Sequence, residues 1–329
     1  MAPSNHGQVF PTASFIPLVG LGTWTQNKPG EVVDAVYTAI KVGYRHLDCA
    51  AAYNNEQEVG AGIKRAISEG IVTRPELWVT SKLNNPDHAP EGVDKVCRGS
   101  LDRLGLEYLD LYLMHWPLTG NTGPKVDPPL EDTWAAMEKL VHKGLCRTIG
   151  VSNFSIKKLE DLMSKSTIRP SVNQVEAHPY FRNEVLLAWC QEQGIHMTCY
   201  SPLGTPNTAS YFNRQAPEVL KDEKVLKVAK KLGKHPGEVV LRWGVQRGCS
   251  VIPKSTSEDH LRSNLAVLDW ELSEDDFEAL NSLETQCRML DGNWFLKEEG
   301  PYKTLEDLWD RPDEKRTSKG SPGALAKEE

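Results

Sequence analysis

From residue 18 onward, short runs rich in β-branched and apolar residues alternate with longer stretches of helical period, and the alternation repeats eight times. The runs are LVGLG (18–22), RHLD (45–48), LWVTSKL (77–83), LDLYLMH (109–115), TIGVS (148–152), VNQVE (172–176), IHMTCYS (195–201) and SVIP (250–253). Between them lie segments such as EVVDAVYTAIKVG and DTWAAMEKLVHKG, several ending in glycine as helix C-termini do. The last interval, Glu218 to Gly248, is a longer helical region. Such alternation dictates parallel strands, because a parallel neighbour is reached only by a crossover over one face of the sheet. Eight units predict a closed (β/α)8 TIM barrel with additional C-terminal loop and helices, with a doubly wound open sheet as the competing arrangement.

No linker or shift in composition divides the chain, so residues 1–312 are expected to form a single barrel domain. FIPLV, with Pro17, suggests a short hairpin under the barrel floor. Residues 313–329, charged and poor in large apolar side chains, are expected to be disordered.

Charge and cysteine usage narrow the function. A net charge of −7 without a basic block argues against nucleic acid or an anionic membrane as partner and favours a small molecule. No apolar stretch approaches the roughly 20 residues that span a bilayer, and MAPSNHGQVFPTASF lacks the regions of a signal peptide, so a cytoplasmic protein is expected. The seven cysteines are scattered, with no CxxC pair, which fits reduced thiols and no metal site.

Barrel chemistry collects where strands end, so polar residues there are the candidates. The ends supply Trp24, Asp48, Lys82, His115 with Trp116, Ser152 with Asn153, Gln174 and Glu176, Tyr200 with Ser201, and Lys254 with Ser255. Asp48, Tyr53, Lys82 and His115 are expected to meet on neighbouring loops. A tyrosine holds its proton at neutral pH and can give it up as a general acid; a nearby ammonium is expected to lower its pKa, and a carboxylate to keep that ammonium charged. Histidine can orient a carbonyl oxygen. Together they suit protonation of an oxygen as it gains charge, which carbonyl reduction requires. Each residue taken singly has a plainer structural reading, as a cap, an amphipathic aromatic, a solvated charge or a core histidine. Four compatible groups near the ends of three consecutive strands favour the chemical one.

Reduction needs a hydride, and a nicotinamide is the obvious source. GLGTW lacks the third glycine of a dinucleotide fingerprint, and no P-loop or HExxH occurs. IPKSTSEDHLRSN (252–264) offers a lysine, hydroxyls and a helix start, readable as a phosphate site or as a turn capped by Ser257.

These residues also carry a family likeness. LDCAAAYNNEQEVG, LDLYLMHWP, IGVSNF, NQVEAHP, YSPLG and IPKS together resemble the aldo-keto reductase superfamily from GLGTW to ELSEDD, and CRMLDGNWFLKEEGPYKTLEDLWD is similar to its plant-type aldehyde and aldose reductases. The resemblance implies a monomeric barrel using NADPH/NADP+ without a Rossmann domain, acting on a small-molecule carbonyl, with Asp48, Tyr53, Lys82 and His115 as catalytic residues and Tyr53 as proton donor. It implies Ser152, Asn153 and Gln174 on the carboxamide, Tyr200 stacked on the nicotinamide, and Thr23, Trp24, Ser201 and Leu203 along the cofactor. Lys254, Ser255, Thr256 and His260 would take the 2′-phosphate, with Asn264 near the adenine. Substrate would meet Trp24, Asn84, Trp116 and Trp294, and the loops GNTGPKVDPPL and GTPNTASYFNRQAP would close over it. Two positions depart from the family pattern. His260 stands for an arginine, with Ser263 for a glutamate, so NADPH is expected to be favoured over NADH by a narrowed margin. Asn84 stands for a tryptophan, so more room for hydroxylated or branched substrates is expected. Some members of the family act instead as cofactor-sensing regulatory subunits, which remains the alternative.

Overall fold

The computed structural model describes residues 7–9, 15–24, 30–121, 123–204 and 217–310. Strands β1 (Gly7–Val9) and β2 (Phe15–Pro17) form an antiparallel hairpin, Gly7 opposite Pro17. Then follow β3 (Leu21–Gly22), β4 (His46–Asp48), β5 (Trp78–Leu83), β6 (Leu109–Met114), β7 (Cys146–Ser152), β8 (Val172–Glu176), β9 (His196–Tyr200) and β10 (Ser250–Val251), and from β4 on each is parallel to the one before. The sheet closes on itself. Val19 bridges Val251 in parallel, Gly20 N donates to Val251 O (2.9 Å) and Gly22 N to Pro253 O (3.1 Å). A Cβ on Gly22 would lie 2.6 Å from Ile252 O, so the seam closes only around a glycine there. This (β/α)8 barrel excludes the open sheet, and all eight expected strands are present with small shifts in their ends.

Helices α1 (Glu31–Val42), α2 (Glu56–Ser68), α3 (Val93–Leu104), α4 (Leu130–His142), α5 (Ile156–Met163) and α6 (Glu184–Glu192) cover the outside. The long helical region resolves into α7 (Glu223–Leu232) and α8 (Pro236–Gln246). Gly233 ends the first in a left-handed conformation (φ 63°), and Pro236 opens the second with His235 accepting from Gly237 N, so the break follows ordinary cap chemistry. Helices α9 (Glu258–Leu265), α10 (Glu274–Asn281) and α11 (Leu305–Trp309) complete the chain as far as Asp310. The expected disorder of 313–329 and most of the loop GTPNTASYFNRQAP lie outside the described residues.

The hairpin suggested by FIPLV is the barrel floor. Ile16 is fully buried against Trp78, Leu111, Leu113 and Val172. His46 Nδ1 lies 3.1 Å from Pro17 O, and His196 Nε2 lies 2.9 Å from Ser250 Oγ. Both histidines are 1% exposed, and burial lowers the His46 pKa to about 4 and the His196 pKa to about 3. Their folded values lie below the unfolded value near 6.5, so their stabilising effect is complete above pH 6.5 and is lost as pH falls towards 4 and 3. His46 contributes about 3 kcal/mol and His196 about 5 kcal/mol to the full loss. The urea midpoint should therefore decline from pH 6.5 to 4, and His46→Gln should flatten the decline. An identical slope in the variant would rule out His46 as a source of it.

Candidate active site

The mouth is assembled from three consecutive strand ends. β4 ends at Asp48, β5 carries Lys82, and His115 directly follows β6. After Asp48 the chain extends through Ala50 (φ −160°), makes a 3-10 turn over Ala51–Tyr53, and reverses at Asn54 (φ 55°), so that α2 starts at Glu56. The small alanines let this turn lie flat on the barrel end and bring Tyr53 back over β5.

That turn is tied on both sides. Asn55 Nδ2 donates to Thr23 O (2.8 Å), and Thr23 Oγ1 donates to Asp48 O (2.8 Å). On the other side, Glu56, 2% exposed, accepts from Ser81 Oγ (2.6 Å) and from Arg103 Nε (2.8 Å) and Nη2 (2.7 Å). Ser81 adjoins Lys82, so the carriers of the tyrosine and the lysine are fastened to each other. Sequence reasoning missed Glu56, Ser81 and Arg103. A glutamate in the first turn of a helix reads as an ordinary dipole partner, and only its burial reveals the clasp.

Lys82 is fully buried and spends its three N–H donors on three acceptors: Asp48 Oδ1 (2.5 Å), Cys49 O (2.9 Å) and Tyr53 OH (3.1 Å). Gln174 Nε2 donates to the other Asp48 oxygen (2.6 Å). Burial pulls the Lys82 pKa down, but Asp48 and then Tyr53 more than offset it, leaving the ammonium above its usual value. For Tyr53 the expectation of a lowered pKa is corrected: burial raises it, and the opposing pull of Lys82 is smaller. The phenol is thus held protonated. His115 meets the Tyr53 ring edge-on, with centroids 5.8 Å apart. Burial, then Lys82 and His88, push its pKa well below the usual value, so its imidazole is neutral at physiological pH.

Around this core, Ser152, Asn153, Gln174 and Tyr200 hold one another. Ser152 Oγ donates to Gln174 O (2.8 Å), Asn153 Nδ2 to His115 O (3.0 Å), and Tyr200 OH to Asn153 Oδ1 (2.8 Å). Asn153 (φ 66°) and Ser201 (φ 50°) turn the chain sharply at the strand ends, and Leu203 packs partly buried behind Ser201. The half-buried Trp24 follows Thr23 at the rim. Lys254, Ser255 and Thr256 line an open cleft with Leu21, Gly22, Thr23, Val32, Ala35 and Val36. Thr23 joins that cleft to Asp48. Ser257 caps α9, accepting from His260 N (3.5 Å), while Lys254 and Thr256 are exposed, so a capped turn and a cleft wall are one and the same segment. His260 is exposed, Ser263 Oγ donates to His260 O (3.2 Å), and Asn264 is buried on the inner side of α9.

Aromatic side chains gather beside the mouth. Trp116 makes edge contacts with Trp294 (6.2 Å), Phe295 (5.0 Å) and Trp309 (5.8 Å). Asn84 is not among them: its Oδ1 accepts from Asn85 N (3.0 Å) and opens the 3-10 turn Asn85–Asp87. Among the described residues no group of three metal-binding side chains occurs, and no helix is long and apolar enough to cross a membrane.

A closed barrel with a buried lysine–aspartate pair beneath a tyrosine at its mouth is equipped to move a proton at a polarised oxygen. Residues 18–285 match the model of the Aldo/keto reductase family, and the chain belongs to that family. It is 45% identical to Aldo-keto reductase family 4 member C11 of Arabidopsis thaliana over 91% of this chain and 96% of that one. It is 42% identical to Aldo-keto reductase family 1 member A1 of Homo sapiens over 85% and 89%. Among solved structures, a Bombyx mori aldo-keto reductase in complex with NADP superposes with a TM-score of 0.83 at 37% identity, covering 92% of this chain and 100% of that one. Membership makes this chain an oxidoreductase whose substrates are small carbonyl compounds.

Proposed function

We propose that this protein is an NADPH-dependent aldehyde/aldose-type reductase that converts aldehyde and ketone carbonyls to alcohols. The observation that carries the reading is the Lys82 ammonium held between the Asp48 carboxylate and the Tyr53 hydroxyl. The residues present suit NADPH: the cleft joins Thr23 beside Asp48 to the exposed cation Lys254, with apolar walls between. The NADP bound to the Bombyx mori relative supports the same reading. A bound nicotinamide supplies the hydride.

The chain's own residues do the rest. Ser152, Asn153, Gln174 and Tyr200 orient the nicotinamide end, while Thr23, Trp24, Ser201 and Leu203 lie along the cofactor. Lys254, Ser255, Thr256, His260 and Asn264 hold the adenosine end. Neutral His115 orients the carbonyl oxygen, Tyr53 delivers its proton to that oxygen, and Lys82 stabilises the phenolate left behind. Asp48 keeps Lys82 charged without touching substrate. Trp24, Trp116 and Trp294 form the apolar wall, and Asn84 leaves the far side open to hydroxylated or branched compounds. The protein acts as a cytoplasmic monomer with one barrel domain spanning 1–312.

The experiment follows NADPH and NADH oxidation with short aldehydes, aldoses, dicarbonyls and cyclic ketones. Turnover is expected with both cofactors and to be more efficient with NADPH; equal efficiency removes the preference. Absence of turnover together with a stoichiometric copurifying partner replaces the reading with a regulatory subunit. Asn84→Trp should improve aromatic aldehydes, and an unchanged substrate ranking takes Asn84 out of the pocket.

A further inference from the structure

Glu176 stands at the mouth, at the end of β8 and two residues beyond Gln174, yet none of the steps above uses it. Its side chain is fully buried. Oε1 accepts from Met289 N (2.7 Å) and from His178 Nε2 (2.9 Å), and Oε2 accepts from Leu290 N (2.7 Å). A carboxylate is thus spent on two consecutive main-chain N–H groups of a segment 113 and 114 residues further along the chain. Leaving a buried acceptor of this kind unmatched is costly, so the contact is strongly directional.

The loop after Glu176 is shaped as a bed for the same segment. His178 and Phe181 form an isolated antiparallel bridge, Tyr180 O accepts from Cys287 N (2.6 Å), and Pro179 O accepts from Gln286 Nε2 (2.9 Å). Asn183 Nδ2 returns to Glu176 O (2.8 Å), closing the loop on itself. Arg288 lies over the rings of Phe181 (4.3 Å) and Trp309 (3.3 Å). Beyond this seat the chain turns at Gly292 (φ 78°) into Asn293–Phe295, which sets Trp294 and Phe295 against Trp116. Asp291 O accepts from Trp309 Nε1 (2.7 Å), so α11 is tied to the same segment.

We infer that Glu176 is a positioning residue that seats the Cys287–Asp291 segment on the barrel and thereby fixes the Trp294 wall that selects substrates by size. The inference deepens the reductase reading and rests on it for its kinetic consequence. The seating itself does not.

The test uses the full chain with Glu176→Gln and, separately, Met289→Pro, which deletes one donor of the segment together with a buried side chain and leaves Glu176 itself in place. Trypsin cleavage at Lys297 and Lys303 should accelerate about tenfold or more in both variants, and at Arg288 in Glu176→Gln, where the bond that follows is not to proline, since local opening governs such cleavage. KM for a bulky aromatic aldehyde should rise about tenfold, the size of effect expected when apolar contacts are lost, while kcat for a three-carbon aldehyde stays within about twofold. Unchanged cleavage in both variants overturns the seating. Equal losses on the two aldehydes overturn the role in size selection. An unsubstituted chain that turns over neither aldehyde defeats the reductase reading instead, and the cleavage arm then decides the seating alone.

Discussion

Lys82→Met is expected to give a protein with no measurable carbonyl turnover and with about 3–5 kcal/mol less stability. Lys82 is 0% and Asp48 1% exposed, and the 2.5 Å contact between them lies inside the barrel. Methionine fills nearly the same volume, so packing changes little. What changes is the carboxylate, which keeps Gln174 Nε2 as a partner but loses its counter-ion in a region that water does not reach. Cys49 O and Tyr53 OH also lose their donor. A Lys82→Met/Asp48→Asn double variant should recover most of the stability and none of the activity, because a neutral amide needs no counter-ion. Urea unfolding of the single and double variants measures this. A loss below about 1 kcal/mol in the single variant, or no recovery in the double, would show that the pair does not behave as a buried ion pair.

The barrel was legible because its signal is redundant. Eight strand–helix alternations must all fail before the fold is misread, and each strand end is marked by a change from apolar to polar residues. The mouth was legible for the same reason, since Asp48, Lys82 and His115 stand where strands stop. What stayed hidden depends on partners distant in sequence. Asp110 sits inside the apolar run LDLYLMH, and only the fold reveals that Arg74 (2.7 Å) and Arg147 (3.0 Å) meet it at the opposite end of the barrel. Glu56 looks like a surface helix residue and is buried against Ser81 and Arg103. Glu176 stood among the strand-end candidates, but its partners are main-chain N–H groups, which no side-chain pattern announces.

The direction of the Tyr53 pKa shift is not legible in the sequence, because the ammonium that lowers it can be read there and the burial that outweighs it cannot. The corrected sign suits the proposed role. A phenol held protonated by burial waits as an acid, and Lys82 acts when charge develops, stabilising the phenolate as it forms. The neutral His115 adds no second positive charge to compete for the same oxygen.

Tyr53→Phe tests this account most directly. The hydroxyl's one hydrogen bond among the described residues is to Lys82, whose other two acceptors remain, so folding and NADPH binding should be preserved. NADPH oxidation with a short aldehyde should then fall about 10²–10⁴-fold in kcat, the range general-acid catalysis supplies, with cofactor affinity, read by quenching of protein fluorescence, unchanged. A Tyr53→Phe enzyme that turns over as fast as the unsubstituted protein would contradict Tyr53 as the proton donor.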